Sequence, residues 1–269
     1  MRRPRLLAAL GLVLALVAGA TPARAGLADR VGATFVLMAE DFVKTFQPME
    51  GLIVGVDGDL LYLDLGEGRG AQVGQEFMVF RKGEEFRHPL NGKPLGRYEE
   101  TLGWAQIRRV QPRFSEALYA PLEDKPRPRA ADGARITRGR LRIAVTPVLD
   151  LTQSKADLRR VPYLFATVLE RSKRFQVADP LTVGEIFAAG GARVEEVLGL
   201  PARAMRLSKT LEVAGWVVPV LLERRGVTYL DTTWISAVTG TALFSRRQPL
   251  VSSTTAEEQR FPWEPGVED

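Results

Sequence analysis

The hydrophobic pattern changes its period four times along the chain, and each change marks an element. Residues 6–20 form an unbroken apolar run behind a basic start, Arg2, Arg3 and Arg5. Thr21 and Pro22 break the run, and Ala23-Arg24-Ala25 places small residues at the two positions a signal peptidase reads. Fifteen apolar residues fall short of the roughly 20 that a membrane-crossing helix needs. Residues 1–25 therefore read as an export signal, with Ala23 and Ala25 as the cleavage determinants. No later apolar run reaches transmembrane length. The exported chain is expected to be periplasmic and to lack a transmembrane anchor. No cysteine stands at the cleavage point, which closes the lipoprotein route.

Beyond the signal, Val31, Phe35, Met38, Phe42 and Phe46 recur at spacings of three and four. That is one stripe of an amphipathic helix over residues 26–50, ended by Pro48. It suits packing on its own domain or docking to a partner. From Gly51 the period falls to two. Leu52, Val54 and Val56 alternate with smaller residues, and Asp57-Gly58 supplies a tight hairpin. Return strands follow at 59–65, 75–81, 96–110, 115–120 and 134–138, with a second hairpin at 88–93 turning on Asn91-Gly92. About six short strands in residues 51–140 predict a small antiparallel barrel, because closure removes exposed edges.

After Arg140 the rhythm is that of an α/β unit, residues 141–250. Strands are expected at 141–148, 175–178, 215–223, 227–238 and 241–247. Helices are expected at 157–174, 182–189 and 202–213, packed on the sheet. The fold class is thus α+β: a helix, a barrel and an α/β sandwich with a mixed sheet. Residues 251–269 are polar, acidic and aperiodic and read as a flexible tail.

Composition then narrows the chemistry. The chain has 37 basic and 32 acidic residues, a net charge of +5. The signal holds four arginines and no acid, so its removal leaves 33 against 32. A whole-chain argument for a polyanion partner disappears with it, and export disfavours nucleic acid. What remains is uneven. Residues 101–140 carry nine basic and four acidic groups, whereas 26–100 carry eight and thirteen. Arg108, Arg109, Arg113, Arg127 and Arg129 mark the densest basic stretch. They could be a solvated face, or a contact for an acidic partner or for lipopolysaccharide or peptidoglycan. Exposed pairs contribute only ~0.2–1 kcal/mol each, so several must converge to matter. Phe261 and Trp263 could anchor a partner from the tail.

Zero cysteines exclude disulfides, thiolate nucleophiles and cysteine-held metals. One histidine, His88, excludes any site needing two imidazoles from one chain. It precedes a proline in a hairpin loop and suits a turn. Gly66, Gly68 and Gly70 sit between strands rather than opening a helix, so they read as a turn and not a nucleotide loop. Asp57, Asp59, Asp64 and Glu67 do not match the calcium-loop spacing. No enzymatic activity, metal or cofactor is expected.

The glycine turns and apolar strands of residues 51–110, from Val56-Asp57-Gly58-Asp59 through Phe77-Met78-Val79 to Gly92, Leu95-Gly96 and Gly103, resemble the C-terminal SH3-like barrel of flagellar assembly protein T. Ile143-Ala144-Val145-Thr146-Pro147, Phe175-Gln176-Val177-Ala178-Asp179 and Val238-Thr239-Gly240-Thr241 resemble the N-terminal α/β domain of TolB, a domain similar to one in CsgG. The modules stand in the reverse order to flagellar assembly protein T, and Pro219-Val220 replaces a glycine usual in the α/β family. The resemblance implies a non-enzymatic envelope or assembly protein acting through protein partners.

Overall fold

The computed structural model describes residues 26–252. The signal segment with Ala23 and Ala25, and the tail with Phe261 and Trp263, lie outside the described residues. The fold is α+β. Helix α1 (Leu27–Thr45) leads into six strands: β1 (Met49–Asp57), β2 (Leu60–Leu63), β3 (Glu76–Arg87), β4 (Pro94–Val110), β5 (Ser115–Pro121) and β6 (Gly133–Ile136). They close into an antiparallel barrel in the order β1-β2-β5-β4-β3-β6, with β6 pairing back to β1. The expected closure is therefore found. Ile53, Leu61, Leu63, Phe77, Val79, Ile107 and Ala134 fill the interior. These are the period-two positions that point to one side of each strand.

The second unit contains β7 (Leu141–Val145), β8 (Leu149–Asp150), α2 (Val161–Arg171), β9 (Phe175–Val177), α3 (Pro180–Ala188), α4 (Val194–Gly199), α5 (Pro201–Leu211), β10 (Gly215–Arg224), β11 (Val227–Ser236) and β12 (Ala242–Pro249). The sheet order is β12-β11-β10-β7-β9, with β8 beside β10. β7 runs parallel to β9 and β10, and the last three strands are antiparallel. Both sheet faces are covered, which is why β10 reads as nearly continuous apolar sequence. Val217 and Leu221 face α1 and α2, while Trp216, Val218 and Val220 face α3, α4 and α5. Pro219 cannot donate to a ladder, and it falls where the parallel neighbour of β10 changes from β7 to β8.

Several boundaries differ from the pattern-based expectation, each for a local reason. Helix α2 begins at Val161 and not at residue 157. Asp157 accepts the Arg159 backbone N–H at 3.0 Å in a local turn, and Pro162 starts the helix. It stops at Arg171 because Lys173 turns left-handed, φ 56°. The connector between the two later helices holds a helix of its own, α4. Gly190 at φ 70° closes α3 before it, and the extended Leu200 separates it from α5. Strands β3 and β4 run past the expected limits at residues 81 and 96.

The apolar stripe of helix α1 packs on the α/β unit and not in the barrel that follows it, which meets the helix at its last residue, Thr45. Phe35 stacks on Phe165 of α2 at 3.7 Å between ring centres, and Phe42 meets Phe244 of β12 edge-on at 4.9 Å. The amphipathic stripe thus completes one layer of the α/β unit, and the barrel is inserted between α1 and β7. The last described residues return to the same helix, where Thr34 Oγ1 accepts the Val251 N–H at 3.1 Å and Arg30 donates to its carbonyl at 2.8 Å.

The barrel is seated directly on the α/β unit. Gln75 donates from Nε2 to the Thr45 carbonyl at 2.9 Å in a buried position. Gly74, at φ 88°, lies so close to β12 that a Cβ there would sit 1.9 Å from the Leu243 carbonyl oxygen. Gly74→Ala combines left-handed strain with this clash, so chemical denaturation should show a loss of about 2 kcal/mol or more. Unchanged stability would mean that the two units are not held at this point.

Candidate intermodule cleft and exposed barrel face

Two chain crossings join the modules, residues 46–48 and 137–140, and both end on Arg174. This residue follows the left-handed Lys173 and is only 7% exposed. Its guanidinium donates from Nε to the Phe46 carbonyl, from Nη1 to the Gly139 carbonyl and from Nη2 to the Thr137 carbonyl, the last at 2.8 Å. A planar fork with fixed donors reaches three carbonyls in a way a single ammonium cannot. Burial holds its pKa below the ordinary arginine value. The Arg174 carbonyl in turn accepts Leu141 N–H at 2.9 Å, and Arg140 donates twice to the Phe175 carbonyl at 3.0 and 2.6 Å. Phe46 also packs against Trp234, with ring centres 4.0 Å apart and planes tilted by 31°. Both crossings are therefore pinned by hydrogen bonds, and the first also by the aromatic packing of Phe46.

Beside this clamp lies a cleft of about 410 Å³ between the modules. Met78 and Trp104 form the barrel wall, and Leu141, Val213 and Val238 form the opposite wall. Arg135, Lys209 and Glu212 add charge to its lining. Glu76, the first residue of β3, projects into it. Ser236 at the end of β11 donates from Oγ to Glu76 Oε1 at 2.8 Å and lies 3.1 Å from Oε2, while the same oxygen accepts the N–H groups of Val238 and Thr239. Burial pushes the Glu76 carboxyl up to about 7, and the Ser236 hydrogen bond opposes that shift.

The arginine-rich stretch is not brought onto one surface. Arg108, Arg109 and Arg113 are exposed at the β4–β5 hairpin, where Arg109 pairs with Glu116 at 3.6 Å. Arg127 lies at the β1–β2 turn, paired with Asp59 at 3.1 Å. Arg129 is exposed nearby, in a loop held by the Arg81–Asp132 ion pair at 2.7 Å. Strand β5 separates the two groups by about 20 Å at its ordinary rise per residue. Two of the acidic residues considered as metal ligands, Asp59 and Asp64, are engaged with other partners. Asp64 accepts the Leu52 N–H at 2.6 Å and pairs with Arg69. No group of three or more potential metal ligands occurs among the described residues. His88 accepts the Leu90 N–H through Nδ1 at 3.1 Å, a turn role.

Between the two arginine groups the outer face of β1, β2 and β5 is largely apolar, with Glu116 opposite Tyr62 as a charged residue within it. Leu52, Val54, Phe114 and Leu118 are exposed, with the half-buried Leu60 and Tyr62 among them. Leu60 pairs with Leu118, and Tyr62 lies 6.2 Å from Phe114 between ring centres. In β1 the alternating set read from the sequence, Leu52, Val54 and Val56, faces outward, and Ile53 between them enters the core. Sequence alternation gave no sign that the outward set of three adjacent strands is also largely apolar.

No family model matches this sequence, and no curated protein matches it. Among solved structures, the chain is similar to the LpoB C-terminal domain from Escherichia coli, with 13% identity over 42% of this chain and 82% of that chain at a TM-score of 0.34. It is also similar to lipoprotein GNA1162 from Neisseria meningitidis, with 17% identity over 41% and 79% at 0.31. The PelC dodecamer from Paraburkholderia phytofirmans shares 14% identity over 45% and 82% at 0.28. None of these three is flagellar assembly protein T or TolB. Likeness at these scores carries no argument about activity.

Proposed function

We propose that this protein is an exported, non-enzymatic envelope factor that joins an assembly through protein–protein contacts on its barrel. The observation that carries this reading is the apolar outer face of β1, β2 and β5. A contiguous apolar patch of this kind on a soluble fold marks a contact surface. The ion pair Asp59–Arg127 stands at one end of this face, and Arg109–Glu116 lies along its β5 side with Glu116 opposite Tyr62, so charged groups border the apolar side chains. The signal-like residues 1–25 support an envelope address, and the clamp at Arg174 supports a barrel held in fixed orientation. A flagellar or secretion role is a finer reading on the same lines, resting on the sequence resemblance alone. Binding of lipopolysaccharide or peptidoglycan through residues 108–140 is less favoured, since those arginines stand at opposite ends of a strand.

A photo-crosslinking residue at Val54, which is 55% exposed, should capture a discrete envelope protein in intact cells. Leu118→Asp should abolish that capture while changing stability by no more than about 0.5 kcal/mol, as is usual for surface positions. Envelope preparations that repeatedly yield no adduct from Val54 would remove the basis for the proposal.

A further inference from the structure

Strands β3 and β4 continue beyond the barrel as a two-stranded arm. β6 pairs with β3 only over residues 78–80, and β5 leaves β4 at Gly103. The β3–β4 pairing nevertheless continues from Lys82–Glu99 through Glu85–Arg97 and Phe86–Gly96 to Arg87–Pro94. The ribbon projects about 20 Å at the ordinary rise per residue. Its turn is built rather than slack. His88 N–H donates to the Lys93 carbonyl at 2.8 Å, Gly92 N–H to the His88 carbonyl at 2.9 Å, and Asn91 Oδ1 accepts Lys93 N–H at 3.0 Å.

Charge and polarity segregate along this arm. At its base most acids are paired, Glu50 with Lys82, Glu99 with Arg135 and Glu100 with Lys125, while Glu84 is exposed without an ion pair among the described residues. Residues 86–98 contain Arg87, Lys93 and Arg97 and no acid. Arg87 is shared with Glu85 at 2.5 Å, while Lys93 and Arg97 have no ion-pair partner among the described residues. The same segment exposes four large apolar side chains. Leu90 at the apex is 90% exposed, and Tyr98, Leu95 and Phe86 are all more than half exposed. The Phe86 ring lies over Gly96, and Tyr98 packs against Gly83.

We infer that this tip is a membrane-docking hairpin, seated among the headgroups of an anionic phospholipid bilayer. Alternation along β4 puts Gly96 and Tyr98 on one face and Leu95 and Arg97 on the other, with Leu90 at the end. Apolar and cationic groups therefore surround the tip. A flat protein surface would cover one face and leave the other in water. A lipid interface encloses all of them, taking apolar side chains at the acyl boundary and cations at the phosphates. The missing carboxylates remove the repulsion that such a surface would otherwise meet. This inference is independent of the partner face on β1, β2 and β5.

The test is co-sedimentation of residues 26–269 with vesicles of equal phosphatidylglycerol and phosphatidylcholine, against pure phosphatidylcholine. The protein should pellet with the anionic vesicles, less so as salt is raised. Leu90→Asp should weaken partitioning by at least about tenfold, and Lys93→Ala by about fivefold, as for one cation at an anionic surface. The melting temperature of each variant serves as the folding control, and Arg97→Ala replaces any variant that misfolds. Equal pelleting with neutral vesicles, no pelleting with anionic ones, or unchanged binding by folded tip variants would overturn the inference. So would self-association in the absence of lipid that Leu90→Asp abolishes, because the tip would then dock on a second copy.

Discussion

Replacing Arg174 by alanine is expected to lower the unfolding free energy by about 3 kcal/mol or more. Hydrogen bonds from charged donors contribute roughly 1.5–3 kcal/mol each, and carbonyls left without a donor in a buried site add a desolvation cost. Three carbonyls lose their donor together: those of Phe46, Thr137 and Gly139. For a chain of this size the loss corresponds to a melting temperature lower by about 6–12 °C. Arg174→Lys should recover only part of it, since an ammonium on a flexible stem cannot hold three carbonyls at once. A general loss of packing would give the same melting shift, so a second readout is needed. Amide exchange should rise at residues 46–49 and 137–141, the two crossings, ahead of the barrel interior. Wild-type exchange there, with a melting temperature within a degree of wild type, would show that Arg174 does not clamp the modules.

The clamp also shows where sequence reading runs out. The barrel strands were visible because a period of two is a local signal, but in β1 both sides are apolar, and the set read from the sequence, Leu52, Val54 and Val56, is the exposed one. Asp57-Gly58 and Asn91-Gly92 were visible because their turns need left-handed residues, and Gly58 and Gly92 do have positive φ. The stripe of α1 was visible as a stripe, but nothing local says which sheet it covers. Its true neighbours, Phe165 and Phe244, stand more than a hundred residues away. The outer half of the β3–β4 arm was missed for the opposite reason. A ribbon with no core face has no alternation to read, so the pattern alone ends the strand at Arg81. Arg174 gave no signal at all, being one basic residue after another basic residue. Glu76 gave a faint one, as a lone acid opening the apolar run Phe77-Met78-Val79-Phe80. The exposed arginines drew attention because charge density is easy to count. The structure then spread them over two ends of the barrel, since strand β5 carries the chain from one to the other.

Glu76 makes the contact between the modules depend on pH, with a sign that follows from its folded pKa. Its carboxyl is raised from 4.5 to about 7 in the folded protein. The folded state therefore holds a proton that the unfolded chain releases, and stability from this group is greatest below about 4.5. It declines as the pH rises and is lost above about 7. The full difference amounts to about 3 kcal/mol at most. Arg135, Lys209 and Glu212 line the same cleft. The Ser236 hydroxyl, at 2.8 Å, softens the cost of the ionised form without removing it. Wild-type protein should consequently be more stable at pH 5 than at pH 8 in chemical denaturation. Glu76→Gln keeps an acceptor for Ser236 but carries no charge at either pH. Its stability should be nearly level over that range and should exceed wild type at pH 8. Parallel decline of wild type and Glu76→Gln would assign the pH dependence to other groups and leave Glu76 a solvated carboxylate. The expected divergence would mean that the barrel is held most firmly on the α/β unit in mildly acidic surroundings, with the loosened contact being the one between β3 and the end of β11.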